Sequence, residues 1–151
     1  MKKFLFSTIL LFVATFANAL NIGDTTPSFT IKDQFEKGHT IAADTKTILV
    51  AADKGTSEIL RDYLLTKEKG FLEANKAYYV ADISGMPSLI AKFFALPKMK
   101  KYPFSILLVD EEQTKSFTKK EGNITIYTVA AGKVTDVKYV TDAAGLASVF
   151  K

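Results

Sequence analysis

Four places in this sequence hold residue types that could do chemistry. The first is Asp53-Lys54-Gly55-Thr56-Ser57, which follows an apolar run and opens a helical period. Free N–H groups at a helix start, with two hydroxyls beside them, can hold a phosphate or carboxylate, and Lys54 would be its nearest formal charge. The plainer reading of Gly55, Thr56 and Ser57 is a helix cap that satisfies those N–H groups internally. The second is Asp53 with Asp82, each closing an apolar run. On adjacent strands they share an edge, either as metal ligands or an acid–base pair, or each as the cap of its own loop. The third is His39, the only imidazole, which rules out a histidine cluster for zinc or copper. A serine triad would need it near Ser57, Ser84 or Ser105, but no G-x-S-x-G occurs and a hairpin role is the plainer one. The fourth is Tyr102-Pro103, an X-Pro bond open to either isomer.

Composition removes whole classes of chemistry. With no cysteine among 151 residues, thiol redox catalysis, thiolate-held metals and iron–sulfur clusters are excluded. Arg61 is the only arginine, and recognition of phosphate or nucleic acid leans on arginine's bidentate fork, so no nucleic-acid partner is expected. The lysine groups at Lys98, Lys100 and Lys101, and at Lys119 and Lys120, read as solvated faces.

The elements that must position these residues follow from periodicity. Ile48 to Ala52 is an unbroken apolar run, the pattern of a strand covered on both faces. A helix follows, with Ile59, Tyr63, Leu64, Phe71 and Leu72 spaced for one buried face and Gly70 ending or bending it. Ala77 to Asp82 repeats the strand, giving a β-α-β unit. Ser84-Gly85-Met86-Pro87 enters a helix whose apolar stripe is Leu89, Ile90, Phe93 and Phe94, ended or kinked by Pro97. A strand from Phe104 to Val109 follows, then a polar connection from Glu111 to Gly122, with Phe117 pinned to the body or lying in a short extra strand. Asn123 to Ala130 and Val134 to Val140 form a hairpin around Ala131-Gly132-Lys133. Thr141 or Asp142 caps a last helix that buries Leu146, Val149 and Phe150. Earlier in the chain, Ser28 to Gln34 and His39 to Ala42 make a first hairpin.

The chain begins as an exported one does. Lys2 and Lys3 precede an apolar core from Phe4 to Phe16, and Ala17-Asn18-Ala19 is an A-x-A cleavage site, so residues 1–19 read as a signal peptide and 20–151 as one domain. The unbroken apolar part is shorter than the roughly 20 residues that span a bilayer, which argues against a retained anchor. Cleavage leaves 132 residues with a formal charge of +2. The expected location is the periplasm or the medium, without stable membrane insertion after cleavage.

This order of elements resembles the thioredoxin-like superfamily. Gly23-Asp24-Thr25-Thr26-Pro27-Ser28-Phe29-Thr30-Ile31-Lys32-Asp33 is similar to the lead-in of its peroxiredoxin and secreted thioredoxin-like branch. Tyr102-Pro103-Phe104 looks like that family's proline, usually cis, before a core strand facing the redox site. The resemblance implies an α/β three-layer sandwich: a mixed central sheet, helices on both faces and an N-terminal hairpin. It also implies that the strand after Pro103 runs antiparallel to Ile48–Ala52, which would separate Asp110 from Asp53 and Asp82. In a flavodoxin-like sheet all three would share one edge. Where the family keeps its redox cysteines this chain has Asp53 to Glu58, so the fold carries over and the thiol chemistry does not. The expected function is an exported non-redox module that binds a periplasmic protein or peptide through Thr56, Ser57, Met86, Pro87, Tyr102 and Pro103. No cofactor is expected. The alternative is a flavin-binding or flavin-linked oxidoreductase module that holds the cofactor phosphate at Gly55–Ser57. Amino-terminal sequencing of the exported product is expected to start at Leu20; a product that keeps Met1 and sediments with membranes would identify an anchor instead.

Overall fold

The structure is a computed structural model and describes residues 19–150, so all but the last residue of the expected leader lies outside the described residues. At its centre is β3, Thr47–Ala51, all five residues of which are buried. On one side β3 pairs in parallel with β4, Ala77–Asp82, and on the other it pairs antiparallel with β6, Ile124–Ala130, so that Leu49 faces Tyr79 and Ile126 in register. The sheet is completed by β5, Leu107–Val109, outside β4 and by β7, Lys133–Val140, outside β6, giving the order β5-β4-β3-β6-β7.

Alternation along β3 and β4 sorts the core into two halves. Leu49, Ala51, Tyr79 and Ala81 pack against Leu60 and Leu64 of α1, Lys54–Leu65, Leu72 of α2, Phe71–Ala74, and Leu146 of α5, Ala143–Val149. Ile48, Val50 and Val80 form the other half with Leu20, Ile31, Ile41, Phe117 and Val134. That second face is closed by the hairpin of β1, Ile31–Lys32, with β2, Gly38–His39, and by the turn that buries Phe117. The expectation of helices on both faces is therefore corrected: the layers are three, but the helical layer covers one side.

The first hairpin is tied down by three side chains. Asp33 Oδ1 accepts the N–H groups of Phe35 and Lys37 at 2.8 and 3.0 Å, and its Oδ2 lies 2.6 Å from His39 Nε2, which gives the lone histidine its hairpin role. Gln34 is 1% exposed; its amide nitrogen donates to the Phe104 carbonyl at 2.7 Å and its oxygen accepts the Ile106 N–H at 2.7 Å.

Two further expectations are corrected. The strand after Tyr102-Pro103 runs parallel to β4, in the register Ala81 to Leu108, and hence parallel to β3. The helical segment before it acts as a second crossover, so β5 arrives on the outside of β4, and the antiparallel place beside β3 goes to β6. Asp110 thus shares an edge with Asp53 and Asp82, yet the antiparallel β6–β7 pair keeps the sheet mixed. The segment itself is continuous over 88–99: α3, Ser88–Ile90, a π-helical turn, Ala91–Ala95, and α4, Leu96–Met99. Leu96 N–H reaches back to the Ala91 carbonyl, one residue further than in an α-helix, and the chain passes Pro97 without stopping. The stripe expected to be buried, Leu89, Ile90, Phe93 and Phe94, is exposed.

Local chemistry accounts for the rest. Ala131 and Gly132 both have positive φ, 50° and 75°, the handedness that a two-residue hairpin turn needs. Asp142 caps α5 by accepting the Gly145 N–H at 2.8 Å. A Cβ at Gly145 would lie 2.6 Å from Val140 Cβ, so α5 crosses β7 too closely for any side chain there. Gly145→Ala is expected to destabilise the chain by about 1–3 kcal/mol despite alanine's better helix propensity. Chemical denaturation checks this.

Candidate functional site

The carboxyl edge of β3, β4 and β5 ends in three aspartates, and each carboxylate is engaged by its own surroundings. Asp53 is the N-cap of α1: its Oδ1 accepts the Thr56 N–H at 2.8 Å and the Thr56 hydroxyl at 3.0 Å. Its Oδ2 accepts the Gly122 N–H at 3.2 Å, which fastens the loop before β6 to the start of α1. The Thr56 N–H above all, helped by the Gly122 N–H and the Thr56 hydroxyl, overcomes burial and holds the Asp53 carboxyl below the usual carboxylate range. Asp82 accepts the Ser84 N–H and hydroxyl at 2.9 and 2.6 Å through Oδ1, and pairs with Lys119 Nζ at 2.7 Å through Oδ2. Burial opposes its charge, but Lys119 and Ser84 outweigh it and Asp82 also sits low. Asp110 accepts the N–H groups of Glu112 and Gln113. This is the loop-capping geometry, with Asp53 and Asp82 each closing its own turn.

Beside this edge, between α1 and the 88–99 helix, lies a cavity of about 670 Å³. Its polar wall comes from one side of α1, where Asp53, Ser57 and Arg61 stand four residues apart and so in line. Its floor is Tyr79, Ala81 and Ile106 on the sheet, and its far wall is Met86, Ile90, Phe94 and Met99. The Arg61 guanidinium donates to Asp62 at 2.8 Å and also meets the Tyr102 hydroxyl, and both partners hold it cationic. Burial pushes the Tyr79 phenol up to about 12, so it stays a hydroxyl donor, facing Ser57.

The sequence-expected site residues divide on this geometry. Ser57, Met86 and Tyr102 line the cavity, with Gly85 beside them. Thr56 is 1% exposed and both its N–H and hydroxyl are committed to Asp53, so a ligand anion at Gly55–Ser57 would have to share a turn that a carboxylate already fills. Pro87 is exposed at the N-cap of α3, off the cavity. Pro103 is trans, since no cis bond occurs among the described residues, and it too stands outside the lining. It precedes the edge strand β5, while β6, the strand beside β3, is entered through Glu121-Gly122-Asn123. Sequence reasoning missed Arg61 and Tyr79 as site residues. The four-residue step from Asp53 through Ser57 was the signal that could have found Arg61.

No family model matches the sequence, and no curated protein matches it. Solved structures do. The thioredoxin domain of a thiol-disulfide oxidoreductase from Bacteroides vulgatus is 17% identical, over 87% of this chain and 99% of that one, with a TM-score of 0.52. A peroxiredoxin-like protein from Aquifex aeolicus is 10% identical over 87% of both chains, with a TM-score of 0.54. Peroxidoxin BcpB from Mycobacterium tuberculosis is 18% identical over 87% of this chain and 95% of that one, with a TM-score of 0.51. At these identities the likeness is one of fold.

Asp53 and Asp82 both sit lower in the folded chain than in the unfolded one. The stability they add is therefore complete above the ordinary carboxylate range and is lost as pH falls through it. Urea midpoints are expected to drop between roughly pH 5 and pH 2, with a shallower drop for Asp82→Asn. At pH 7, Asp53→Ala should cost about 1–2 kcal/mol through loss of the cap.

Proposed function

We propose that this chain, a thioredoxin-like domain with no thiol, is an exported binding module that holds an extended peptide or protein segment in the cavity between α1 and the 88–99 helix. The observation that carries the reading is the cavity itself: an open, largely apolar site at the carboxyl edge of the sheet, where ligands of α/β folds usually sit, beside a turn that has no thiol. Its volume lies in the range of ligand sites, and its rim carries both signs of charge, with Lys54, Arg61 and Lys98 against Asp53, Glu58 and Asp82. A peptide offers the matching set: an apolar side chain for the floor of Ala81 and Ile106, and backbone or charged groups for Ser57, Tyr79 and Arg61. Nothing in this arrangement asks the protein to make or break a bond.

A displayed library of extended peptides, selected against the full chain, tests this. Enriched peptides are expected to share a large apolar residue flanked by polar ones. Filling the cavity with Ala95→Phe, at a half-buried position on its wall, should weaken them at least about tenfold, equal to 1.4 kcal/mol. The domain should keep its unfolding midpoint. Selection that enriches nothing, or peptides that bind the filled variant equally well, would overturn the assignment.

A further inference from the structure

The 88–99 helix presents its large side chains to the outside. Ala91, Ala95 and Met99 turn toward the body and are half-buried, while Leu89, Phe93 and Phe94 are 68, 61 and 69% exposed. With Ile90 they make up half of the large apolar side chains exposed among the described residues, so this is a patch and not scatter. The cavity accounts for only half of it: Ile90 and Phe94 line it, whereas Leu89 and Phe93 do not.

The segment that carries the patch bears charge of one sign. From Asp82 to Asp110 the intervening sequence contains four lysines, Lys92, Lys98, Lys100 and Lys101, and no carboxylate. All four are exposed, and none forms an ion pair among the described residues. Lys92 Nζ lies 5.7 Å from the centre of the Phe93 ring, so the cations border the apolar residues directly.

A second copy docking through this face would bring the lysines of both helices toward one another, which Coulomb repulsion disfavours. An apolar ridge bordered by lysines is instead the pattern of a helix that lies in the plane of an anionic lipid surface. We propose that the 88–99 helix rests on an anionic bilayer, with Leu89, Phe93 and Phe94 entering the acyl boundary and Lys92, Lys100 and Lys101 meeting lipid phosphates. The contact is peripheral, as no helix among the described residues is long and apolar enough to cross a membrane. It meets the peptide proposal only at Phe94, which also lines the cavity; Leu89, Phe93 and these three lysines lie outside it.

The chain has no tryptophan, so one introduced residue can report alone. Full-length Phe93→Trp is mixed with vesicles of phosphatidylglycerol and phosphatidylcholine, and with phosphatidylcholine alone; Tyr139→Trp on β7, 40% exposed in the native chain, is the control. The expected result is a blue shift and quenching by brominated acyl chains for Phe93→Trp on the anionic vesicles, and neither for Tyr139→Trp. Every variant keeps the apolar amino-terminal segment, so its contribution is common to both. Replacing Lys92, Lys100 and Lys101 with glutamine should weaken partitioning about a hundredfold, roughly fivefold per lysine, with unchanged circular dichroism. An emission from Phe93→Trp that no vesicle alters, or equal responses from both tryptophans, would overturn the proposal. So would equal binding to neutral vesicles, or a shift that appears only with a protein fraction, which would assign the face to a protein partner.

Discussion

Burial of β3 on both faces is the constraint on which the remaining structure depends. A strand with no solvent face needs a hydrogen-bonded neighbour on each side and a packed layer above and below. Here β4 and β6 supply the neighbours, the helices supply one layer, and the amino-terminal hairpin with the Phe117 turn supplies the other. Because β4 is parallel to β3 and β6 is antiparallel, the chain after β3 must cross over the sheet before it can return by a hairpin. That requirement puts the start of α1, the Asp82 loop and the loop ending at Gly122 at one edge. Asp53 then joins two of them through separate carboxylate oxygens.

The carboxylates at that edge are correspondingly engaged. The solved structures that share this fold include the thioredoxin domain of a thiol-disulfide oxidoreductase, a peroxiredoxin-like protein and a peroxidoxin. In this chain the first turn of α1 is closed by a carboxylate and a hydroxyl that satisfy one another. Neither group can cycle between oxidation states as a thiol does. What the edge offers is shape: an arginine held in place by Asp62 and Tyr102, two tyrosine hydroxyls, and an apolar floor.

Much of this was legible in the residues, and the failures share a cause. β3 announces itself by five consecutive apolar residues, the β6–β7 turn by Ala131-Gly132, and the last helix by Asp142, because each signal is local. The direction of β5 is not local. It depends on which side of β4 the crossover lands, and Pro103 was given a weight that a trans proline before an edge strand does not bear. The facing of the 88–99 helix failed for a different reason. A 3.6-residue period put Leu89, Ile90, Phe93 and Phe94 on the core side, whereas Ala91 and Ala95 are half-buried positions, Ile90 and Phe94 border the open cavity, and Leu89 and Phe93 face out. Arg61 was read as a scarce cation and not as a wall of the cavity, since its partners Asp62 and Tyr102 come from an adjacent position and a distant one.

The buried amide of Gln34 has a consequence beyond holding the hairpin. β5 is a border strand, and its outward N–H and C=O groups would otherwise invite pairing with a strand from another molecule. Asp33 bridges Leu107, and Gln34 takes the Ile106 N–H and the Phe104 carbonyl with its side chain, imitating the peptide group of a neighbour that is not there. Two residues of the same chain thereby cover the approach to β5, which leaves less of that border open to a strand from another molecule.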